Sequence, residues 1–159
     1  MSYIIEINGY ISMSKEIFDD LMNNEINLNT FDFSSEDHGE KGIDVPVKVR
    51  LKDYFGDLSY KDGAMVINCE YNYYNMLDQY IDIDDILEAV SCKIDKKDIG
   101  YVKIYGEDRE RWCYWVAKDM IERGEWKRSE PPYWFKFNKN KPAFAACGVK
   151  LLDYLSGWG

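Results

Sequence analysis

Seven carboxylates stand within residues 62–92, a stretch with no lysine and no arginine: Asp62, Glu70, Asp78, Asp82, Asp84, Asp85 and Glu88. Tyr71, Tyr73, Tyr74 and Tyr80 lie among them. Three kinds of chemistry use such a set. Converging oxygens can hold a hard cation. Paired carboxylates can act as acid and base. A row of carboxylates beside tyrosines can dock in a basic protein groove. For a cation, Asp82, Asp84 and Asp85 would combine with Asp78 or Glu70 around Mg²⁺. A helix N-terminus explains the same three aspartates without a metal, since each gains about 0.3–1 kcal/mol from the dipole. No metal and no cofactor is therefore expected. The dipole leaves Glu88 unexplained, because a like charge three or four residues away costs a helix about 0.2–0.5 kcal/mol. It also leaves Glu70, Asp78 and the missing cations. Docking accounts for these, with Glu70, Tyr73, Tyr74, Asp78, Tyr80, Asp82, Asp84, Asp85 and Glu88 as the partner-binding set. A solvated charged face is the competing explanation.

Catalytic sets are absent elsewhere. A serine or cysteine nucleophile needs a base, and the one histidine, His38, sits in a polar stretch. No glycine-rich phosphate loop, nucleophile elbow or metalloprotease motif occurs. Cys69, Cys92, Cys113 and Cys147 are too widely spaced for a zinc site and are expected to pack as small apolar groups. The expectation is a binding protein with no catalytic residues, not an enzyme.

The charge balance narrows the partners. The 159 residues carry a formal net charge of −9, with a pI near 4.7. Such a surface repels nucleic acid and anionic membranes. Residues 1–126 hold 14 basic and 27 acidic groups, and residues 127–150 hold 6 basic groups and one acidic group. The basic strip mixes Trp126, Lys127 and Arg128 with Tyr133, Trp134, Phe135, Lys136, Phe137, Lys139 and Lys141. That mixture can stack bases and track phosphates. The preferred alternative is a strand at 133–137 with its aromatics turned inward, since the acidic body opposes nucleic acid within a Debye length of about 8–10 Å. No apolar run approaches the ~20 residues of a membrane span, and the start reads as a strand rather than a signal peptide. A cytoplasmic protein of one domain, residues 1–159, is expected.

Patterning supplies the elements. Tyr3, Ile5, Ile7 and Ile11 share one face of a first strand. Ser14 can cap a helix with the stripe Ile17, Phe18, Leu21 and Met22, stopped at Asn23-Asn24. Residues 34–42 read as a loop. Ile43, Val45, Val47, Val49 and Leu51 alternate with polar residues in a strand that Pro46 confines to a sheet edge. Asp62-Gly63 joins a hairpin with arms 55–61 and 64–71. Ile83, Ile86, Leu87 and Val90 predict a helix at 83–92 capped by Asp82. Residues 100–106 and 110–117 form two strands, the second central and covered on both faces, because Trp112, Tyr114 and Val116 oppose Cys113, Trp115 and Ala117. Arg123-Gly124 is read as a turn into a strand near Trp126, and Pro142 as the start of a final helix ending near Gly157. These elements predict an α+β fold: a mainly antiparallel twisted sheet with two or three short helices packed on it.

In size, acidity and its Ile, Asn, Lys and Tyr usage, the whole chain resembles phage-encoded anti-CRISPR proteins that inhibit type II-A Cas9 in staphylococci. The segment 100–108, followed by Arg111-Trp112, also resembles a hairpin of small Gram-positive and phage proteins. The first resemblance carries no residue roles. It implies stoichiometric inhibition of Cas9 at its PAM-reading groove or, preferentially, at its HNH nuclease domain. An immunity protein that neutralises a basic nuclease toxin would use the same surface, and a small Mg²⁺-dependent enzyme is the third alternative.

Overall fold

The computed structural model describes residues 4–32, 43–72, 83–109 and 111–125. Within them a six-stranded antiparallel sheet is built from β1 (Ile4–Ser12), β4 (Leu58–Lys61), β5 (Ala64–Asn72), β6 (Ile99–Gly106), β7 (Arg111–Ala117) and β8 (Met120–Glu125). Its spatial order is β4-β5-β1-β6-β7-β8. A separate antiparallel pair joins β2 (Ile26–Asp32) to β3 (Ile43–Val49). The described residues also form three helices: α1 (Lys15–Asn23), α2 (Leu51–Tyr54) and α3 (Ile83–Ser91). This is the α+β architecture that the patterning predicts. The segments expected at 34–42, 133–137 and 142–157, together with Trp126, lie outside the described residues.

Strand β1 is the axis of the sheet. It pairs with β5 on one side and β6 on the other. Alternation sends Ile5, Ile7 and Ile11 to one face, where they join Met65, Ile67, Val102, Ile104, Tyr114 and Val116 in the main core. Phe18 and Leu21 of α1 and Ile83, Ile86, Leu87 and Val90 of α3 close that core from above, with Ile26, Leu28 and Val49 of the two-stranded sheet. On the other face Tyr10, Ala64, Ile99, Tyr101, Cys113 and Trp115 form a second buried cluster. The Tyr101 and Trp115 rings stack there with centroids 4.4 Å apart.

Local signals act where expected. The Ser14 side chain accepts a bond from the Ile17 backbone N–H at 3.3 Å, and Asn24 ends the helix. Asp62 and Gly63 have φ of 49° and 82°, the paired positive values of a type I′ hairpin turn. Pro46 stands in a pair of strands that, among the described residues, each have a free side for a residue without an N–H.

Three expectations need correction, and one strand is added. Leu51 belongs to α2, not to the preceding strand, and is buried in one helical turn. Strand β7 is covered on both faces, yet among the described strands it stands next to the last, β8, and not in the middle. The turn before β8 is at Lys118-Asp119, where Asp119 adopts φ 58°; aspartate tolerates this conformation because its short side chain can bond locally. Arg123 and Gly124 instead pair with Tyr114 and Cys113 inside the ladder. Strand β2 had no predicted counterpart: Ile26 and Leu28 alternate, but the intervening asparagines are disfavoured in strands.

Two sites deep in the fold set its tolerance. A Cβ on Gly9 would fall 2.2 Å from the Tyr101 carbonyl oxygen and 2.6 Å from the Val102 Cα. Both are backbone atoms and cannot move aside cheaply. Near the other end of β1, the Ser12 hydroxyl accepts the Ile99 N–H at 2.8 Å and donates to Asp98 at 3.3 Å. The second Asp98 oxygen accepts the Asp95 N–H at 3.0 Å. The Asp98 residue is 5% exposed. Burial pushes its carboxyl above the ordinary value of 3.8, against the lowering effect of those bonds and of Lys97, while Asp95 adds to the rise.

Gly9→Ala should destabilise the fold by about 3 kcal/mol or prevent folding, read as a lowered urea midpoint. A carboxyl raised in the folded state adds stability below its unfolded value and loses it as pH rises through the folded value. The wild-type chain should therefore gain stability from Asp98 as pH falls from neutral towards 3.8. Asp98→Asn has no charge to lose but keeps an acceptor for the Asp95 N–H. In paired urea titrations this variant should lack that component of the slope.

Candidate interaction surface

Helix α3 carries three of the expected acidic residues, and β7 with its following turn holds the helix at both ends. The buried stripe Ile83, Ile86, Leu87 and Val90 seats it on the sheet. At its first turn the Tyr114 hydroxyl donates to the Asp84 carboxylate. At its last turn the Asp119 N–H bonds the Ser91 carbonyl at 3.0 Å, and the Lys118 ammonium donates to the Cys92 carbonyl. A cation at the C-terminus and a carboxylate at the N-terminus both complement the helix dipole.

Asp84 is thus half-buried and bonded, and Asp85 is half-buried and also has a partner. Glu88 is exposed. The Tyr114 hydroxyl is held well above its usual range, first by burial, then by its bond to Asp84 and that group's charge; Arg123 partly offsets the rise. At any ordinary pH the phenol keeps its proton and remains a donor.

Glu70 does not join this row. The β1–β5 register places Cys69 with Ile7 on the core face that α3 covers, and Glu70 with Glu6 on the opposite face. Glu70 and the α3 carboxylates are therefore on different sides of the sheet and do not converge on one point. Asp62 is exposed in the β4–β5 turn. Tyr73, Tyr74, Asp78, Tyr80 and Asp82 lie outside the described residues, as does His38. Among the described residues, no three His, Cys, Asp or Glu side chains are grouped to hold a metal ion.

The structure assembles a different acidic set. Glu6 of β1 is directly opposite Glu70 of β5 on one side and Tyr105 of β6 on the other. Glu107 follows at the start of the β6–β7 turn, where its N–H bonds the Ile4 carbonyl at 3.0 Å. Ile4, Glu6, Glu70, Tyr105, Gly106 and Glu107 line an open notch of about 260 Å³. All three glutamates are exposed, and their side chains make no hydrogen bond or ion pair with the described residues. Two cations pack on Tyr105, a wall of this notch. Lys103 and Arg111 stand over the Tyr105 ring at 5.5 and 5.1 Å from its centroid.

Sequence reasoning misses this set because its members are 6, 70 and 107 in the chain, and only sheet order brings them together. Alternation does place Glu6 and Glu70 each on the polar side of its strand, but says nothing of their adjacency. Of the described cysteines, Cys113 is buried and Cys69 half-buried, whereas Cys92 is exposed, against the expectation that all four pack as apolar groups. Burial, with the Asp57 charge, pushes the Cys69 thiol up to about 12, so it stays protonated near neutrality.

Compared with known proteins, this chain matches no family model, no curated protein and no solved structure. Among the described residues no helix is long and apolar enough to cross a membrane.

Tyr114→Phe removes the donor and leaves the Asp84 carboxylate half-buried without it. Bonds to charged groups contribute roughly 1.5–3 kcal/mol. A loss of about 2 kcal/mol in urea unfolding is expected, with faster amide exchange in the first turn of α3.

Proposed function

We propose that this protein is a non-enzymatic inhibitor that binds Cas9 through an acidic surface, at the HNH nuclease domain, and blocks cleavage of target DNA. The observation that carries the binding reading is the notch: Glu6, Glu70 and Glu107 are exposed and make no ion pair with the described residues. Directly opposed like charges destabilise a sheet, so folding alone gives no reason for Glu6 to face Glu70. A cationic partner removes that repulsion on binding.

Two further features support the reading. The net charge of −9 speeds encounter with a basic protein surface and repels nucleic acid. A nuclease surface shaped for a DNA backbone is cationic, and carboxylates spaced along a strand can occupy it in place of phosphates. Cas9 as the particular partner rests on the chain's resemblance in size and composition to anti-CRISPR proteins. The same surface chemistry would fit a basic nuclease toxin.

With guide-loaded staphylococcal Cas9, the protein in excess should abolish target cleavage and co-elute with the isolated HNH domain at low salt. The complex should weaken as salt rises. Charge reversal at Glu6, Glu70 and Glu107 together should restore cleavage while far-UV circular dichroism is unchanged. Cleavage that persists with the wild-type protein in excess would sink the proposal and turn the search to a toxin nuclease.

A further inference from the structure

Among the described residues, the outer edge of β5 is covered over half its length. β4 pairs with Ala64 to Ile67, and one more bond, from the Asn68 N–H to the Asp57 carbonyl at 3.4 Å, ends the ladder. The hairpin determines which groups come next. Lys61 and Ala64 flank a two-residue turn, so they exchange both of their backbone bonds. Even-numbered residues of β5 therefore aim N–H and C=O away from β1. Glu70 and Asn72 present their ladder groups outward, and among the described residues no strand takes them.

Side chains add a charge preference to this open edge. Glu70, Glu6, Tyr105 and Arg111 form one cross-strand row on the same face. The row begins with two adjacent carboxylates at the edge that no described strand covers, and the cations Lys103 and Arg111 pack on Tyr105 beyond Glu6. A strand added outside β5 would extend the row by one position, directly opposite Glu70. Side chains so opposed have Cβ atoms about 4.5–5.5 Å apart. The neighbouring positions of that strand would fall on the face of Cys69, which packs against the main core. The edge therefore favours a basic residue flanked by apolar ones.

We propose that the half of the β5 edge that no described strand covers takes an extended segment of a partner protein as an added strand, with an arginine or lysine opposite Glu70. Backbone bonds to Glu70 and Asn72 supply affinity, and alternate side chains supply selectivity. The basic side chain enters the notch beside Glu6. That space, about 260 Å³, is below the ~300–1,000 Å³ of small-molecule sites and suits a single side chain. This pairing rests on the same acidic sheet end as the inhibitor reading. A test with a synthetic peptide separates the two, because it needs no Cas9.

The probe is a labelled peptide of alternating arginine and valine, followed by fluorescence anisotropy and amide hydrogen exchange. Binding should slow exchange at the Glu70 and Asn72 amides. N-methylation of the peptide amides that face β5 should abolish binding. Glu70→Lys should weaken it about tenfold or more, a change of at least one decade in Kd. Glu70→Gln, the milder variant, should weaken it less and guards against misfolding of the lysine form. Equal binding of the N-methylated peptide would reduce the effect to general charge attraction and overturn the proposal. So would an absence of binding, which would leave Glu70 as a charge that keeps other chains off the edge.

Discussion

The close approach of β1 to β6 is the constraint on which the rest depends. At Gly9 the partner backbone lies where a Cβ would be, 2.2 Å from the Tyr101 carbonyl oxygen. Gly100 meets the same limit from the other strand, with the Ile11 side chain at 2.7 Å and the Tyr10 carbonyl at 2.9 Å. Two glycines on adjoining strands thus let the central ladder close. That closure aligns Ile5, Ile7 and Ile11 with Val102 and Ile104 beneath the helices. It also aligns Tyr10 with Tyr101 on the opposite face. Both cores follow from one register, and a slip of one residue would exchange them.

The acidic residues divide into two kinds. Some have work within the fold. Asp84 receives the Tyr114 hydroxyl and pins the start of α3, and Asp98 ties the end of β1 to the loop before β6. Glu6, Glu70 and Glu107 have no such role among the described residues, and Glu6 and Glu70 are like charges placed directly opposite each other. A binding surface is better sought among carboxylates that the fold does not use. The carboxylates of the notch lie at the sheet end and not on the helix row, and of residues 62–92 Glu70 is the one among them.

The sheet end also differs from the rest of the second face. Tyr10, Tyr101, Cys113 and Trp115 are buried there, whereas Glu6, Asn68 and Glu70 are exposed a few residues along the same strands. An apolar half and a charged half therefore share one surface. The charged half adjoins the part of β5 that no described strand covers, so ladder groups and carboxylates occur together. Natural sheets guard such edges with charge, and the same device becomes a selective one for a segment of opposite sign.

Much of the secondary structure was legible in the chain itself. Strand alternation from Ile5 to Ile11, the Ser14 cap, the Asp62-Gly63 turn and the α3 stripe are local signals, carried by neighbours within a few residues. Local reading failed where tertiary packing outweighed propensity. Strand β2 forms despite its asparagines because Ile26 and Leu28 reach the core, and Leu51 leaves its strand to be buried in α2. Composition by itself determined that the protein is acidic. Alternation determined that Glu70 sits on the polar side of its strand. Only the tertiary structure decided that Glu70 stands beside Glu6 and Glu107 and away from Asp84, because sheet order and register are set by the burial of both faces and not by any residue near Glu70.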